Sequence, residues 1–133
     1  MSWNGIKKQS LKAEIEAWCE EMGIQNYTIN SKGEIDVSRS VDLSKMDFKE
    51  LPYKFGTVNG YFDVGENDKL TSLKNCPDKV EGYFSCSFGE VLDSLEGCPK
   101  EVGGNFYCRH CKREFTENEV RSLCKVKRNV FVI

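Results

Sequence analysis

The chain has 133 residues, 30% of them charged, with 19 Lys and Arg against 21 Asp and Glu and a formal net charge of -2. That length suits one compact domain able to bury a core without disulfides or metal, and the near-even charge excludes a general nucleic-acid coat. No apolar run approaches the roughly 18 residues of a membrane span, and the opening Met1-Ser2-Trp3-Asn4-Gly5-Ile6-Lys7-Lys8 lacks the apolar core of a signal peptide. Seven cysteines, an odd number, fit a reducing compartment, so a cytoplasmic protein is expected.

The first element expected is a helix. Ser10 is a candidate cap, Leu11, Ile15, Trp18 and Met22 fall at helical spacing on one face, and Gly23 is a stop signal. Cys19, beside Trp18, is expected to pack with that face. Residues 25–30 and 34–38, joined by Ser31-Lys32-Gly33, read as a β-hairpin. Helix and hairpin together make residues 1–38 a cap over the first repeat, because the end turns of a stacked array expose apolar surface.

Residues 39–115 repeat. Gly60-Tyr61-Phe62-Asp63-Val64 returns as Gly82-Tyr83-Phe84-Ser85-Cys86 and again as Gly104-Asn105-Phe106-Tyr107-Cys108, at a step of 22 residues each time. The intervening Leu70-Thr71-Ser72-Leu73-Lys74-Asn75-Cys76-Pro77-Asp78-Lys79-Val80 returns at the same step as Leu92-Asp93-Ser94-Leu95-Glu96-Gly97-Cys98-Pro99-Lys100-Glu101-Val102. A weaker copy precedes these, with Val41 and Leu43 in the strand and Phe48 and Leu51 in the leucine places. A decayed copy comes after them, with Phe115 in a leucine place. Period-2 alternation sends Phe62, Phe84 and Phe106 inward and the tyrosines outward. One such unit cannot bury its few apolar groups, but stacked units can. The fold expected is therefore a short right-handed solenoid with a narrow parallel sheet on one side.

Residues 116–133 form a second cap. Thr116 and Glu119 have the spacing of a capping box, a short helix runs through Val120, Leu123 and Cys124, and Asn129-Val130-Phe131-Val132-Ile133 is strongly β-forming. That strand is expected to pair beside the last repeat. Left open, it would offer an edge for a homodimer.

The Leu-x-x-Leu pairs, the following Pro, the Val and the short strand resemble bacterial leucine-rich repeats with short units. More closely, Gly-x-Phe-x-Cys with Leu-x-Ser-Leu-x-Gly-Cys-Pro resembles the repeats of small proteins of tailed bacteriophages and some bacteria. The likeness spans roughly residues 24–126 and includes the lead-in Asn26-Tyr27-Thr28-Ile29-Asn30 and Gly33-Glu34-Ile35-Asp36-Val37. Only Asn67 stands near the place of that pattern's turn asparagine. The resemblance implies a single-domain α/β repeat fold, a leucine-rich-repeat-like solenoid. It also implies a non-enzymatic role: a phage product that binds a bacterial protein, such as an antiviral defence factor, and inhibits or redirects it.

Two other chemistries have candidate residues. Cys108-Arg109-His110-Cys111, with Cys124 13 residues on, has the residue types of a zinc site. However, Cys86 and Cys108 recur at the repeat step, as do Cys76 and Cys98, and so read as small buried hydrophobes. No metal or cofactor is expected. His110, the one histidine, sits beside Arg109 and Lys112, which could activate a thiol, but no third group orients it. No phosphate loop, dinucleotide fingerprint or nucleophile elbow is present, so no enzyme is expected.

Arg109, Lys112, Arg113, Arg121, Lys125, Lys127 and Arg128 leave residues 101–133 with 7 basic against 4 acidic side chains. That is weak steering, and nucleic acid is the least favoured partner. The expected docking surface is the outer strand face. Its outward positions run Ser40, Asp42, Ser44; Tyr61, Asp63, Gly65; Tyr83, Ser85, Ser87; Asn105, Tyr107, Arg109. The binding residues expected among them are Asp42, Tyr61, Asp63, Tyr83, Ser85, Asn105, Tyr107 and Arg109. Tyrosines on a rigid sheet give large contact area at small entropic cost.

Overall fold

The computed structural model describes residues 3–133, with side chains from residue 9 onward; Met1 and Ser2, the start of the segment searched for a leader, lie outside the described residues. The chain is a small β-solenoid of about four turns with a helix at each end. No helix among the described residues is long and apolar enough to cross a membrane.

Helix α1 spans Trp3–Glu21. It starts ahead of Ser10, which lies inside it. No proline interrupts residues 3–9, and once a helix is nucleated each further turn is cheap to add, so Ser10's preference for a cap is overridden. The inward line is Ile15 and Cys19, 1% and 0% exposed, and it ends short of Leu11, which is 44% exposed. Gly23 stops the helix at φ 73°. Its N–H donates to the Glu20 carbonyl at 3.1 Å, and that of Ile24 donates to the Cys19 carbonyl at 2.8 Å, the double closure of a Schellman motif.

Strands β1 (Tyr27–Ile29) and β2 (Ile35–Val37) form the expected antiparallel hairpin, with Thr28 opposite Asp36. Beyond it the chain winds through β3 (Val41–Asp42), β4 (Phe55–Val58), β5 (Phe62–Asp63), β6 (Lys79–Val80), β7 (Phe84–Ser85), β8 (Glu101–Val102) and β9 (Phe106–Tyr107). Helix α2 (Glu117–Leu123), β10 (Lys125–Val126) and β11 (Val130–Phe131) complete it. Two sheets result, ordered β1-β2-β4-β6-β8-β10 and β11-β9-β7-β5-β3, and all pairings beyond the hairpin are parallel.

The second sheet corrects the expectation of one. Each turn carries two strands, and the one after the Cys-Pro step was not legible. β6 and β8 are two residues long and present one inward valine each, Val80 or Val102. One apolar residue cannot display a period.

The turns are joined by like-on-like hydrogen bonds. The N–H of Phe62 donates to the Tyr83 carbonyl at 2.9 Å, that of Phe84 to Asn105 at 3.0 Å, and that of Phe106 to Asn129 at 2.9 Å. Inside, Phe62, Phe84 and Phe106 are fully buried. Their ring centroids are 6.3 and 5.1 Å apart in succession. Leu51, Leu73 and Leu95 make a second inner column, Leu70 and Leu92 a third, and Phe115 is buried as the leucine substitute. Cys76, Cys86 and Cys108 are buried as expected, while Cys98 is half-buried. Burial pushes the Cys108 thiol up to about 12. Glycine is required where successive turns meet most closely: a Cβ on Gly82 would sit 2.8 Å from the Gly60 carbonyl carbon, and one on Gly104 would sit 2.9 Å from that of Gly82.

Both caps seat on this stack. Trp18 of α1 meets Phe48, Tyr53 and Phe55 of the first turn at centroid distances of 6.2, 5.5 and 6.0 Å, all edge-on. At the other end the Thr116–Glu119 capping box forms in both directions. Val120 and Cys124 are buried beneath α2, but Leu123, expected on the same face, is 50% exposed. The last strand pairs internally, with Val130 opposite Phe106 and Phe131 opposite Tyr107.

Replacing Phe84 with Ala removes the middle ring of the buried column and should cost about 3–5 kcal/mol in urea unfolding. A loss under 1 kcal/mol, the level of a surface change, would show that the column does not carry the fold.

Candidate functional site

The outer face of the five-stranded sheet is organised in rows fixed by the register. Opposite residues on successive strands are Val41, Phe62, Phe84, Phe106 and Val130 inward, and Asp42, Asp63, Ser85, Tyr107 and Phe131 outward. Two residues before the outward row lies that of Ser40, Tyr61, Tyr83, Asn105 and Asn129. Two residues after it lies that of Ser44, Gly65, Ser87, Arg109 and Ile133.

On this face the rings touch in an unbroken line. Tyr61 and Tyr83 stack at 4.7 Å and 5°, close to the roughly 5 Å expected from strand spacing. Tyr83 meets Tyr107 edge-on at 5.7 Å, and Tyr107 stacks on Phe131 at 5.0 Å and 9°. The Arg109 guanidinium lies over Phe131, 4.8 Å from its centroid. Asn105 Nδ2 donates to the Tyr107 hydroxyl at 3.0 Å, and its Oδ1 accepts the Asn129 N–H at 3.0 Å. Phe131 was missed because its 24-residue step from Tyr107 falls outside the 22-residue repeat.

The sequence-predicted residues are thus brought to one face, with one correction. Ser85, expected to be open, is 9% exposed, as Ser87 is at 8%. Ser85 is hemmed in by Asp63 and Tyr107 on the adjoining strands, and so does not itself offer contact area. The Ser87 hydroxyl accepts the Arg109 N–H at 3.0 Å.

Asp63 is the electrostatically loaded member. Burial, then the charges of Asp42 and Glu66, raise its pKa above the usual carboxylate range, against the lowering effect of the Gly65 N–H at 2.8 Å. Tyr83 is raised too, by burial first and then by Asp63.

Beside the face runs a corner that composition did not reveal. Lys45, Glu66, Phe88 and His110 all hold positive φ, at 58°, 55°, 60° and 54°, a region bulky residues seldom adopt. The four occupy the same place in successive turns. Phe88 is 49% exposed, and its ring lies on that of His110 at 4.9 Å. Neither carries a glycine or asparagine signal.

The cysteine cluster resolves into structure. Asn67 is fully buried. Its Nδ2 reaches the carbonyls of Leu43, Val64 and Gly65 at 3.0, 2.9 and 3.2 Å, and its Oδ1 accepts the Met46 N–H at 2.9 Å. Cys111 stands two turns on from Asn67, with its Sγ 3.4 Å from the Cys86 carbonyl and 3.9 Å from that of Arg109. It therefore serves the same turn with a thiol. The neighbouring Cys86 side chain holds the Cys111 pKa below the usual thiol range, against the effect of burial. Cys108 and Cys124 are buried. Among the described residues no group of three or more His, Cys, Asp and Glu comes together around a metal position, and no hydrogen bond joins His110 to a thiol.

At the basic end, Arg113 holds Glu119 by two contacts of 2.6 and 3.1 Å. Arg121 bonds Glu117 and the carbonyls of Val126 and Arg128, each at 2.8 Å. These two guanidiniums are used within the cap.

The geometry defines a β-solenoid presenting an aromatic strip. Compared with known proteins, the chain matches no protein-family model, no curated protein and no solved structure.

The turn contacts and the Asp63 carboxylate each generate an expected outcome. Cys111→Asn restores the amide of the turn asparagine and should leave the urea midpoint unchanged or higher, whereas Cys111→Leu should lower stability by about 1–3 kcal/mol through orphaned buried carbonyls. A raised folded pKa means that Asp63 ionisation opposes the fold: its contribution is favourable below the unfolded pKa and is lost as pH rises through the folded one. Asp63→Asn, which keeps the acceptor for Gly65, should therefore raise the thermal midpoint at pH 7 and not at pH 3. Equal shifts at both pH values would contradict this.

Proposed function

We propose that the protein is a non-enzymatic binding module that docks another protein on the outer face of its five-stranded sheet. The observation that carries this reading is the continuous ring contact from Tyr61 through Tyr83 and Tyr107 to Phe131. All four rings are part-exposed rather than buried, so they contribute to contact area more than to the core. Aromatic side chains already held in place lose little entropy on binding, and residues of this type dominate the energy of protein interfaces. The strained, half-exposed Phe88 at the adjoining corner extends the surface, and strained backbone is concentrated at functional sites.

The partner we propose is a bacterial protein, and an antiviral defence factor blocked or redirected by a phage product is the case that the repeat resemblance supports. The charged C-terminal end supports nucleic-acid binding less well, because Arg113 and Arg121 are engaged within the cap.

The test pairs capture of a partner from bacterial lysate with calorimetry on the identified protein. Tyr61→Ala together with Tyr83→Ala should weaken the complex by about 2–4 kcal/mol, as loss of central aromatic anchors does, and should leave the circular-dichroism spectrum unchanged. Unchanged affinity for the double variant would move the interface elsewhere.

A further inference from the structure

The outer face is polarised in charge, and the polarity is uncompensated. Asp42 and Asp63 stand directly opposite one another on paired strands, an arrangement that destabilises a sheet. Among the described residues Asp42 is bonded only to the N–H and hydroxyl of Ser44, at 3.0 and 2.6 Å, and Asp63 only to the N–H of Gly65. Among the described residues neither forms an ion pair. Two strands beyond Asp63, Arg109 has no acidic partner among the described residues, and its Nε is buried with no hydrogen bond to them.

The other sheet behaves differently. There Lys79, Glu101 and Lys125 face each other in register with alternating sign, and Lys79 also pairs with Glu81 at 3.2 Å. The same fold thus sets opposite charges side by side on one outer face and like charges side by side on the aromatic one.

We infer that the aromatic face takes an extended protein segment of mixed charge, with a lysine or arginine at the Asp42–Asp63 end and an aspartate or glutamate at Arg109. This rests on the reading of that face as a docking surface. The basic group has a built place. Tyr83 covers one face of the Tyr61 ring, and the row neighbour on its other side is Ser40, exposed and too small to cover the second. A cation there meets a ring face and two carboxylates together, a combination of cation–π and ionic attraction. The acidic group meets the guanidinium that lies over Phe131.

The spacing selects the conformation. Arg109 lies three strand intervals from Asp42 across the sheet, about 14 Å at about 4.8 Å per strand, and two residues, about 7 Å, along it. The direct separation is therefore about 16 Å, and the long basic and acidic side chains of a ligand span what its backbone does not. An extended chain advances about 3.3 Å per residue with alternate side chains on opposite sides, so residues i and i+4 share a side about 13 Å apart. The intervening residue i+2 then lies over the tyrosines. On a helix, residues i and i+4 are only about 6 Å apart and do not reach.

The probe is a displayed library of random twelve-residue peptides, selected on the intact protein. Expected enrichment is a basic and an acidic residue four apart with an apolar or β-branched residue midway. Asp42→Asn with Asp63→Asn should weaken synthetic versions of the selected peptides at least tenfold, and more at low salt than at high. Both substitutions keep the acceptors for Ser44 and Gly65, so circular dichroism serves to confirm an intact fold. Arg109→Gln should erase the preference for the acidic residue. Peptides that need Tyr61 and Tyr83 but show no charge pattern, and bind the double asparagine variant equally well, would overturn the charge inference and leave the docking face standing. Peptides indifferent to Tyr61→Ala with Tyr83→Ala, or no tyrosine-dependent enrichment at all, would overturn both.

Discussion

The structure depends on one constraint: each turn must return the chain to the same phase as the turn below it. Phe62, Phe84 and Phe106 share an inner column because their N–H groups donate to the residue preceding the equivalent inward residue of the next turn. A one-residue slip in β5, β7 or β9 would carry its phenylalanine to solvent and an outward neighbour, Asp63, Ser85 or Tyr107, inward. The glycines at 82 and 104 leave no room for a side chain between turns, so the spacing is set by backbone against backbone. The corner residues at positive φ, from Lys45 to His110, accept strain so that the turn closes within the same number of residues.

The same constraint that builds the core lays out the surface. Because inward and outward residues alternate, stacking the phenylalanines stacks Tyr61 on Tyr83 as well. The aromatic face needs no scaffold of its own. That face tolerates arrangements that cost stability, such as the facing carboxylates of Asp42 and Asp63, because the buried columns hold the turns together regardless. Such local costs are tolerated when the surrounding structure over-determines the conformation.

The solenoid, its helical ends, the inner phenylalanines and the outer tyrosines were legible in the sequence, because each repeats at a visible step and in a visible phase. The features that escaped did so for physical reasons. The second sheet consists mostly of strands too short to show alternation, with Val80 and Val102 as single inward residues. The start of α1 was misplaced because Ser10 is a capping residue type with no need to cap. Phe131 joined the aromatic line through a 24-residue step that no repeat announces. Phe88 and His110 sit at a left-handed corner without the glycine or asparagine that marks one. Cys111 resembled a metal ligand by its neighbours, yet it stands two repeat steps from Asn67 and serves the same turn, an equivalence masked because a thiol there replaces the amide.

The glycine contact between turns has a consequence for growth. Since each turn touches only its neighbours, a further 22-residue unit placed between Gly82 and Gly104 would meet the same backbone surface above and below. The stack would lengthen by one strand interval, about 4.8 Å. The aromatic strip would lengthen with it, and Asp42 would draw away from Arg109 by that same increment. The molecule is in effect a ruler graduated in strand spacings. Its length changes only in whole steps, so a chain gaining or losing a unit would not stretch its aromatic strip gradually but exchange one fixed length for the next.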